Sequence, residues 1–229
     1  MKYAGIELEN FDKAHIWRKY IFFLIRKYFS DDFLEVGAGI GSFTKNYFTK
    51  FNNIILSEID ANNSDRLKKE FNNYENIKIS NNSIKDINKK FNTIIYLNVL
   101  EHIKNDILEI NNALEKLNVG GHLIILVPAG NKLYGEFDKA IGHHKRYELD
   151  FFKSNKFQNT RIVDLYCLDC FGYFLYFVNQ LIFKKEVYPS KFKIFIWDKI
   201  FTPFTIVIDY LTRYKFGKNI LCIYQKIDH

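Results

Sequence analysis

Short apolar runs alternate with longer helical patterns over the first 130 residues of the chain. Apolar runs at Phe33–Val36, Ile54–Ser57 and Ile77–Ser80, and at residues 93–97 and 123–127, predict five strands. Helical spacing of apolar residues predicts helices at 16–28, 42–51, 63–71 and 106–117, the last of them ended by Gly120 and Gly121. This alternation is typical of βαβ units in a parallel sheet, which binds ligands at the carboxyl ends of its strands.

The last third of the chain departs from this pattern. Strands predicted at 161–166 and 219–225 flank about fifty residues, where the plain alternation needs only one short connection. This insertion, residues 167–216, contains an apolar helix at 169–183 and an aromatic run at 192–214 that Pro203 is expected to break. We expect it to cover the active site, a partner chain or a membrane surface; the simplest alternative is an enlarged core with a homodimer contact.

Charge is concentrated in the same third. The net charge of the 229 residues is +7, and residues 151–229 carry 12 Lys and Arg against 6 Asp and Glu. This excess indicates an anionic partner such as a phosphate-bearing substrate, a lipid head group or a nucleic acid. Four lysines near Phe and Trp fit peripheral membrane contact, namely Lys184, Lys185, Lys191 and Lys193.

We expect neither a membrane span nor a leader from the pattern of apolar and charged residues. The best apolar run, residues 171–183, is shorter than the ~20 residues that a span needs. The three cysteines cannot build a disulfide framework. We therefore expect a cytoplasmic protein, and a peripheral position at the inner membrane face stays open as an alternative.

Three glycines follow the first strand at alternate positions. Gly37, Gly39 and Gly41 permit a tight turn and let a ligand lie against bare backbone. Glu35, just before the turn, would repel a pyrophosphate but could hold a cationic, amine-bearing ligand. Glu58 ends the second strand, about twenty residues later, where an acid accepts hydrogen bonds from a ribose diol.

Four motifs in order, FLEVGAGIG, LSEID, IIYLNVLEHI and LNVGGHLIILVPA, resemble those of class I S-adenosylmethionine (SAM)-dependent methyltransferases of the type 11/12 group. The resemblance covers roughly residues 30–130. It implies an α/β fold whose seven-stranded, mostly parallel sheet has a reversed last strand. It also implies SAM as cofactor and S-adenosylhomocysteine as product. We expect one domain, with a helical cap (1–30), a SAM-binding core (31–128), a roof loop (129–150) and the helical insertion (167–216).

The resemblance also assigns residues to the parts of SAM. Glu35 and the turn from Gly37 through Ala38 and Gly39 to Gly41 would lie against the methionine part. Glu58 would bind the ribose hydroxyls and Ile59 would pack on the adenine. Family members often have an acid after strand three; here Asn81 or Asn82 stands in its place. Asn98, Val99 and Leu100 would face the methionine end.

Residues 129–150 are expected to form a roof over the strand ends. LYGEFD and GHHKRY in this segment resemble methyltransferases linked to sugar, polysaccharide or lipid-linked precursor metabolism. Tyr134, Arg146 and Tyr147 are candidates for substrate contact, because cations and a phenol suit a phosphate or carboxylate. His102, His143 and His144 are candidates for the general base. A solvated charged loop is the alternative.

No metal site is expected. Some methyltransferases with an LEH motif use its Glu and His as metal ligands, together with an acid three residues earlier. Glu101 and His102 are present, but the earlier position is Asn98. Cys167 and Cys170 have C-x-x-C spacing without a second pair, so we interpret them as buried core residues.

The sequence therefore favours a SAM-dependent enzyme that O-methylates a small or lipid-linked anionic metabolite. An RNA methyltransferase is one alternative, although Asn98-Val99-Leu100-Glu101 stands where base N-methyltransferases carry Asn/Asp-Pro-Pro-aromatic. A non-catalytic SAM-binding scaffold is another. Steep salt dependence of RNA binding would favour the first alternative, and SAM binding without methyl transfer the second.

Overall fold

Seven strands form one sheet, because the short apolar runs pair side by side. The computed structural model describes residues 8–182 and 188–228. The strands are β1 (Phe33–Val36), β2 (Ile54–Ser57), β3 (Ile77–Ser80), β4 (Phe91–Leu97), β5 (Leu117–Pro128), β6 (Thr160–Leu168) and β7 (Asn219–Lys226). Their order across the sheet is β3-β2-β1-β4-β5-β7-β6. The pairs among β1–β5 are parallel, and β7 is antiparallel to β5 and β6. The predicted fold class, with its reversed last strand, is confirmed.

Helices cover both faces of the sheet. In chain order they are α1 (Leu8–Phe11), α2 (His15–Ile25), α3 (Ala61–Phe71), α4 (Asp106–Glu115), α5 (Glu136–Ala140), α6 (Leu149–Ser154), α7 (Cys170–Ile182), α8 (Lys191–Ile196) and α9 (Thr202–Leu211). On one face α4 packs through Ile110 and Leu114. On the other face α2 packs through Ile21 and Ile25, and α3 through Leu67. Successive residues of a strand therefore point alternately into the two core layers.

The helix predicted at 42–51 is wrong. This segment forms two short 3₁₀ turns, Thr44–Asn46 and Phe48–Lys50. The hydroxyls of Thr44 and Tyr47 both donate to the buried carboxylate of Glu35. These bonds hold the segment close to β1, and tertiary contact overrides the helical spacing of its apolar residues.

The boundary between α4 and β5 also differs from the prediction. The helix ends at Glu115 and the strand begins at Leu117, so Gly120 and Gly121 lie within β5 instead of ending the helix. A Cβ at Gly121 would lie 2.9 Å from the carbonyl oxygen of Asn92 on β4. Gly121 therefore serves the close approach of two strands.

The insertion contains α7, α8 and α9. It starts after Leu168 and ends before Asn219, two residues later than predicted at each end, because β6 extends to Leu168. Pro203 does not break the aromatic run: a π turn at Trp197–Phe201 joins α8 to α9, and the proline sits in the first turn of α9, where no intrahelical N–H is needed. Lys184, Lys185 and the end of the predicted helix at 183 lie outside the described residues. Within residues 8–182 and 188–228, no helix has both the length and the hydropathy that crossing a bilayer requires.

Candidate active site

One large cavity of about 1880 Å³ opens at the carboxyl ends of the strands. It lies at the topological switch point between β1 and β4, where the chain leaves the two strands in opposite directions. Sheets of this kind bind ligands at that point. Helices α1 and α2, the roof and the insertion complete its walls. Thirteen of the predicted site residues line it: Glu35, Gly37, Ala38, Gly39, Glu58, Ile59, Asn98, Val99, His102, Tyr134, His143, His144 and Arg146.

The glycine turn forms the floor of the cavity beside β1. Gly37 and Gly39 have φ angles of 66° and 58°, which residues with a Cβ rarely adopt. A Cβ at Gly37 would also lie 2.6 Å from Val99 Cγ2. Gly41 does not line the cavity: a Cβ there would lie 2.5 Å from the Phe71 ring. The third glycine therefore serves packing against α3, not ligand contact as predicted.

Glu35 brings a buried carboxylate to the cavity wall. Its Oε2 accepts hydrogen bonds from Thr44, at 2.7 Å, and from Tyr47. Burial raises the pKa of Glu35 to about 7, although both hydroxyls act in the opposite direction. The residue is therefore only half ionised near neutral pH. A bound ammonium group would favour the charged form.

Glu58 fastens the glycine turn to the start of α3. Its Oε2 accepts from Gly39 N and its Oε1 from Asp60 N, each at 2.8 Å. Burial raises the pKa of Glu58, and the two backbone N–H groups oppose that shift. The next residue, Ile59, is 49% exposed although it is apolar, and it lines the cavity. An acid beside an exposed apolar side chain suits a ribose joined to an aromatic base.

Asn81 and Asn82 lie behind this wall and do not line the cavity. Asn81 Nδ2 donates to the Glu58 carbonyl oxygen at 3.3 Å, and the Asn82 carbonyl accepts from Ser57 Oγ at 2.7 Å. Ser83 and Ile84, the residues that follow, line it in their place. The two asparagines thus support β2 and do not reach the cavity, where the adenine contact was predicted.

The end of β4 carries a strained residue. Asn98 has a φ of 56°, in the left-handed region where a non-glycine residue is unusual. This turn directs Asn98 and Val99 to the cavity, whereas Leu100, which was predicted to accompany them, is buried in the core outside it.

Glu101 is the residue that sequence reasoning missed as a reacting group. It lines the cavity but is only 1% exposed. In the part of the chain that the structure describes, neither of its carboxylate oxygens has a hydrogen-bond partner. Burial raises its pKa to about 8. A buried carboxyl without a partner is costly, so this group is suited to receive a donor from a ligand.

Two of the predicted histidines stand around Glu101. His143 Nε2 lies 3.6 Å from Glu101 Oε1, and the rings of His102 and His143 meet edge to face at 4.7 Å. Burial lowers the pKa of His102 to about 4, so its ring is neutral at physiological pH. Glu101, His102 and His143 each place one ligand atom within 4.8 Å of the others, a set that could hold a metal ion. His144 lines the cavity, and its backbone N–H donates to the Glu101 carbonyl at 2.8 Å.

Asp138 organises the roof and was also missed. Its buried carboxylate accepts from Arg146 Nε at 2.9 Å and from Gly135 N at 3.0 Å, and it lies 2.8 Å from His143 Nδ1. Burial acts to raise the pKa of Asp138, but the bonds from His143 and Arg146 hold it below its usual value. Since an ionised carboxylate only accepts, Nδ1 carries the proton, and in the neutral tautomer Nε2 faces Glu101 with its lone pair.

The predicted substrate contacts divide into three cases. Tyr134 lines the cavity, and its hydroxyl donates to the His143 carbonyl at 2.8 Å. Arg146 also lines it, but its charge is paired with Asp138 and its guanidinium lies 4.7 Å above the Tyr176 ring. Tyr147 does not line the cavity. It is buried in the core, and its hydroxyl donates to Asp106 at 2.8 Å, so the structure replaces the predicted substrate contact with a supporting role.

Comparison with protein families decides what kind of site this is. Residues 13–162 match a family described as a methyltransferase domain. The chain belongs to this family. Together with the fold, this membership makes the protein a class I methyltransferase and an enzyme, with SAM as its cofactor. The cavity fits that cofactor, because Gly37 and Gly39 leave bare backbone beside two buried acids.

Solved structures share the fold of this methyltransferase at low identity. A SAM-dependent methyltransferase from Clostridium acetobutylicum is 16% identical, with 96% of this chain and 97% of that one covered and a TM-score of 0.60. The N-methyltransferase NodS from Bradyrhizobium japonicum, solved with S-adenosylhomocysteine, is 12% identical (97% and 91% covered, TM-score 0.58). A Haloferax volcanii protein solved with the Trm112 methyltransferase activator is 7% identical (98% and 93% covered, TM-score 0.63). No curated protein matches the sequence.

Proposed function

We propose that this methyltransferase O-methylates a hydroxyl group of a small or lipid-linked anionic metabolite, such as a sugar or polysaccharide precursor. The observation that carries the proposal is Glu101. Its buried carboxyl has no hydrogen-bond partner among the described residues, and the residue lines the same cavity as the glycine turn. A hydroxyl acceptor would supply the missing donor.

Glu101 is the proposed general base. When bound, SAM supplies a methyl group on a sulfonium, and the acceptor oxygen takes that methyl as the carbon–sulfur bond breaks. The acceptor hydroxyl loses its proton to the ionised carboxylate of Glu101. A pKa of about 8 suits this role near neutral pH, because the base is then strong enough to take the proton yet partly ionised. His143, oriented by Asp138, would position Glu101 and share the proton.

The cofactor contacts are proposed for the residues beside the glycine turn. Glu35 would pair with the ammonium group of the methionine part, Glu58 would accept from the ribose hydroxyls and Ile59 would cover the adenine. The two acids lie at the ends of neighbouring strands β1 and β2, which are parallel and in register at Glu35 and Leu56. This arrangement supports the assigned contacts.

The acceptor is proposed to have an apolar part and an anionic part. The insertion contributes an apolar wall to the cavity through Leu175, Ile196 and Phe201. Lys104 and Lys193 line the same cavity and support an anionic group, whereas Arg146 is already compensated by Asp138. The proposal includes the domain division, in which the roof and the insertion form the acceptor side. It also includes a position at the inner face of a membrane.

Cofactor binding and methyl transfer are tested in sequence. We expect calorimetric titration to give micromolar affinity for SAM and for S-adenosylhomocysteine. Labelled SAM is then incubated with phosphorylated sugars, lipid-linked sugars and RNA, and the product is tested for the base-stable bond of an ether. Transfer to RNA alone, or binding without transfer to any pool, would contradict the proposal in favour of the RNA or the scaffold alternative.

The base is tested with a matched pair of variants once an acceptor is found. Glu101→Gln should lower turnover at least 100-fold and leave the SAM affinity within twofold, because only the proton acceptor is lost. Glu70→Gln, at an exposed position of α3 outside the cavity, should change neither. Full activity of Glu101→Gln would exclude the base. Activity that chelation abolishes and zinc restores would instead make the Glu101, His102 and His143 cluster a metal site.

A further inference from the structure

The helical segment at residues 191–211 has its polarity reversed. Thr202, Thr205 and Asp209 of α9 are fully buried, as is Asp198 in the π turn. A surface helix normally buries its apolar residues and exposes its polar ones. Phe204 and Leu211 of the same helix are 60% and 71% exposed.

The buried acids explain the inward polar face. Asp198 accepts from the backbone N–H groups of Ile16, at 3.2 Å, and Trp17, at 2.9 Å, in the first turn of α2. Asp209 accepts from the N–H groups of Asp169 and Cys170, at 2.8 and 3.0 Å, where α7 begins. Each acid thus caps another helix, and the segment is anchored to the protein through its polar side.

The apolar residues form one continuous outer face. We call them the apolar stripe, defined as Phe192, Phe195, Ile200, Phe204, Val207 and Leu211. Their spacings are three, five, four, three and four residues, which keeps them on one side of the helical segment. The spacing of five falls at the π turn, whose extra residue prevents the stripe from rotating away.

The exposed charged residues within the segment 188–218 are all cations. Residues 188–218 contain six Lys and Arg and two acids, and both acids, Asp198 and Asp209, are buried. Lys191, Lys199 and Lys215 are exposed beside the stripe or close to its ends. An apolar face with a cationic rim is complementary to an anionic lipid surface.

We propose that the apolar stripe docks this methyltransferase on the surface of a bilayer that contains anionic lipid. A second copy of the chain fits less well, because a two-fold interface at the stripe would bring the cationic rims of both copies together. The inner sides of α8 and the π turn line the cavity through Lys193, Ile194 and Trp197. Docking would thus place the cavity next to lipid; the step from docking to a lipid-linked acceptor rests on the proposed function.

Sedimentation with vesicles tests the docking without any methyl acceptor. The full chain is mixed with two kinds of vesicle. One contains phosphatidylcholine alone, and in the other about 30% of the lipid is phosphatidylglycerol, which makes the surface anionic. We expect strong binding only to the anionic vesicles, weakened by salt. The double variant Phe204→Ser/Leu211→Ser should bind at least tenfold more weakly, since both side chains are exposed in the free protein and would leave water on docking.

Matched controls separate docking from folding and from catalysis. Leu108→Ser removes another exposed apolar residue, 53% accessible on α4 and outside the stripe, and this variant should bind vesicles normally. Circular dichroism and thermal unfolding of each variant show whether it is folded, and SAM titration shows whether its cofactor site is intact. No binding to anionic vesicles, or unchanged binding by the double variant, would overturn the docking while leaving the methyltransferase proposal intact. A dimer that the double variant abolishes would assign the stripe to a second copy. Vesicle binding without SAM binding would instead remove the proposed function and keep the docking.

Discussion

The cofactor side and the acceptor side of the cavity are built from contacts of very different range. Glu35 accepts from Thr44, nine residues away, and Glu58 from Gly39, nineteen residues away. On the acceptor side the separation grows: Asp138 is 38 residues from Tyr176, and Asp198 is 181 residues from Trp17. The cofactor side is therefore a local property of β1, β2 and the turns after them. The acceptor side exists only once distant segments have packed.

This difference separates two kinds of buried acid. Glu35 and Glu58 each accept hydrogen bonds and have their pKa raised by burial, and both are proposed to contact SAM. Asp138 has its pKa lowered because His143 and Arg146 are held against it. We therefore expect substitution of the first kind to affect mainly ligand binding and substitution of the second kind to affect mainly folding.

Replacing Asp138 should give the largest effect. Asp138→Ala leaves Arg146 and His143 buried without their partner, and the free energy of unfolding should fall by about 3–5 kcal/mol. Glu136→Ala, two residues earlier in α5, removes an acid that pairs with Lys139 at the surface, and it should have little effect. Thermal and denaturant unfolding measure both. Equal small effects would contradict the structural role of Asp138.

Glu101 should impose a pH-dependent cost on stability. Its pKa rises from an ordinary ~4.3 to about 8 on folding, so the folded protein loses stability as the pH rises through this range and the buried carboxyl ionises. Glu101→Gln should therefore be about 2–4 kcal/mol more stable relative to the parent protein at pH 8.5 than at pH 5. Unfolding curves at the two pH values provide the measurement. A constant difference would show that Glu101 is not buried as described.

Loss of Glu58 should weaken SAM binding by tenfold or more, about 1.4 kcal/mol. Glu58→Ala removes the proposed ribose acceptor and also the bond that holds Gly39. Asp65→Ala is the matched control, because that acid is exposed on α3 and pairs with Lys68. Calorimetry gives both affinities. An unchanged affinity of Glu58→Ala would refute the ribose contact.

The smallest expected effect is the pH dependence that Glu35 gives to SAM binding. The ammonium group pairs with the ionised carboxylate, and a pKa of about 7 leaves one molecule in two ionised at pH 7 but about one in eleven at pH 6. The affinity should therefore fall about fivefold between pH 7 and pH 6. Glu35→Gln should bind more weakly and lose most of this slope. A parent protein without any slope would contradict the pairing.

The sequence predicts the cofactor side well because its signals are local. All five parallel strands were predicted, and Gly37, Gly39, Glu35 and Glu58 line the cavity as expected. Where prediction failed on this side, a contact with a spatial neighbour determines the local structure. Position 41 needs a glycine because a Cβ there would clash with the Phe71 ring. The segment after Ser42 is held by Glu35, so it does not form the predicted helix.

The acceptor side could be predicted only in part. The motif LEH indicates Glu101 as a candidate metal ligand. That the Glu101 carboxylate has no hydrogen-bond partner among the described residues depends on how the roof packs, and His143 of the roof follows Glu101 by 42 residues. Asp138 looked like one acid in the run LYGEFD until the fold placed Arg146 and His143 against it. Tyr147 had the chemistry of a substrate contact and instead bonds Asp106 in the core. The spacing of apolar residues could not predict the reversed polarity of α9, since it does not indicate which face of a helix is exposed.

During synthesis the strands emerge in chain order, but β7, the last of them, lies between β5 and β6 in the sheet. Strand β6 therefore has no place to pair until residues 219–226 have left the ribosome. Until then β5 presents an unpaired edge, a common starting point for aggregation. The cap that Asp198 places on α2 also forms late, because the acid lies 181 residues after Trp17. A nascent chain thus forms its glycine turn early and completes the acceptor side of the cavity only after β7 has been made.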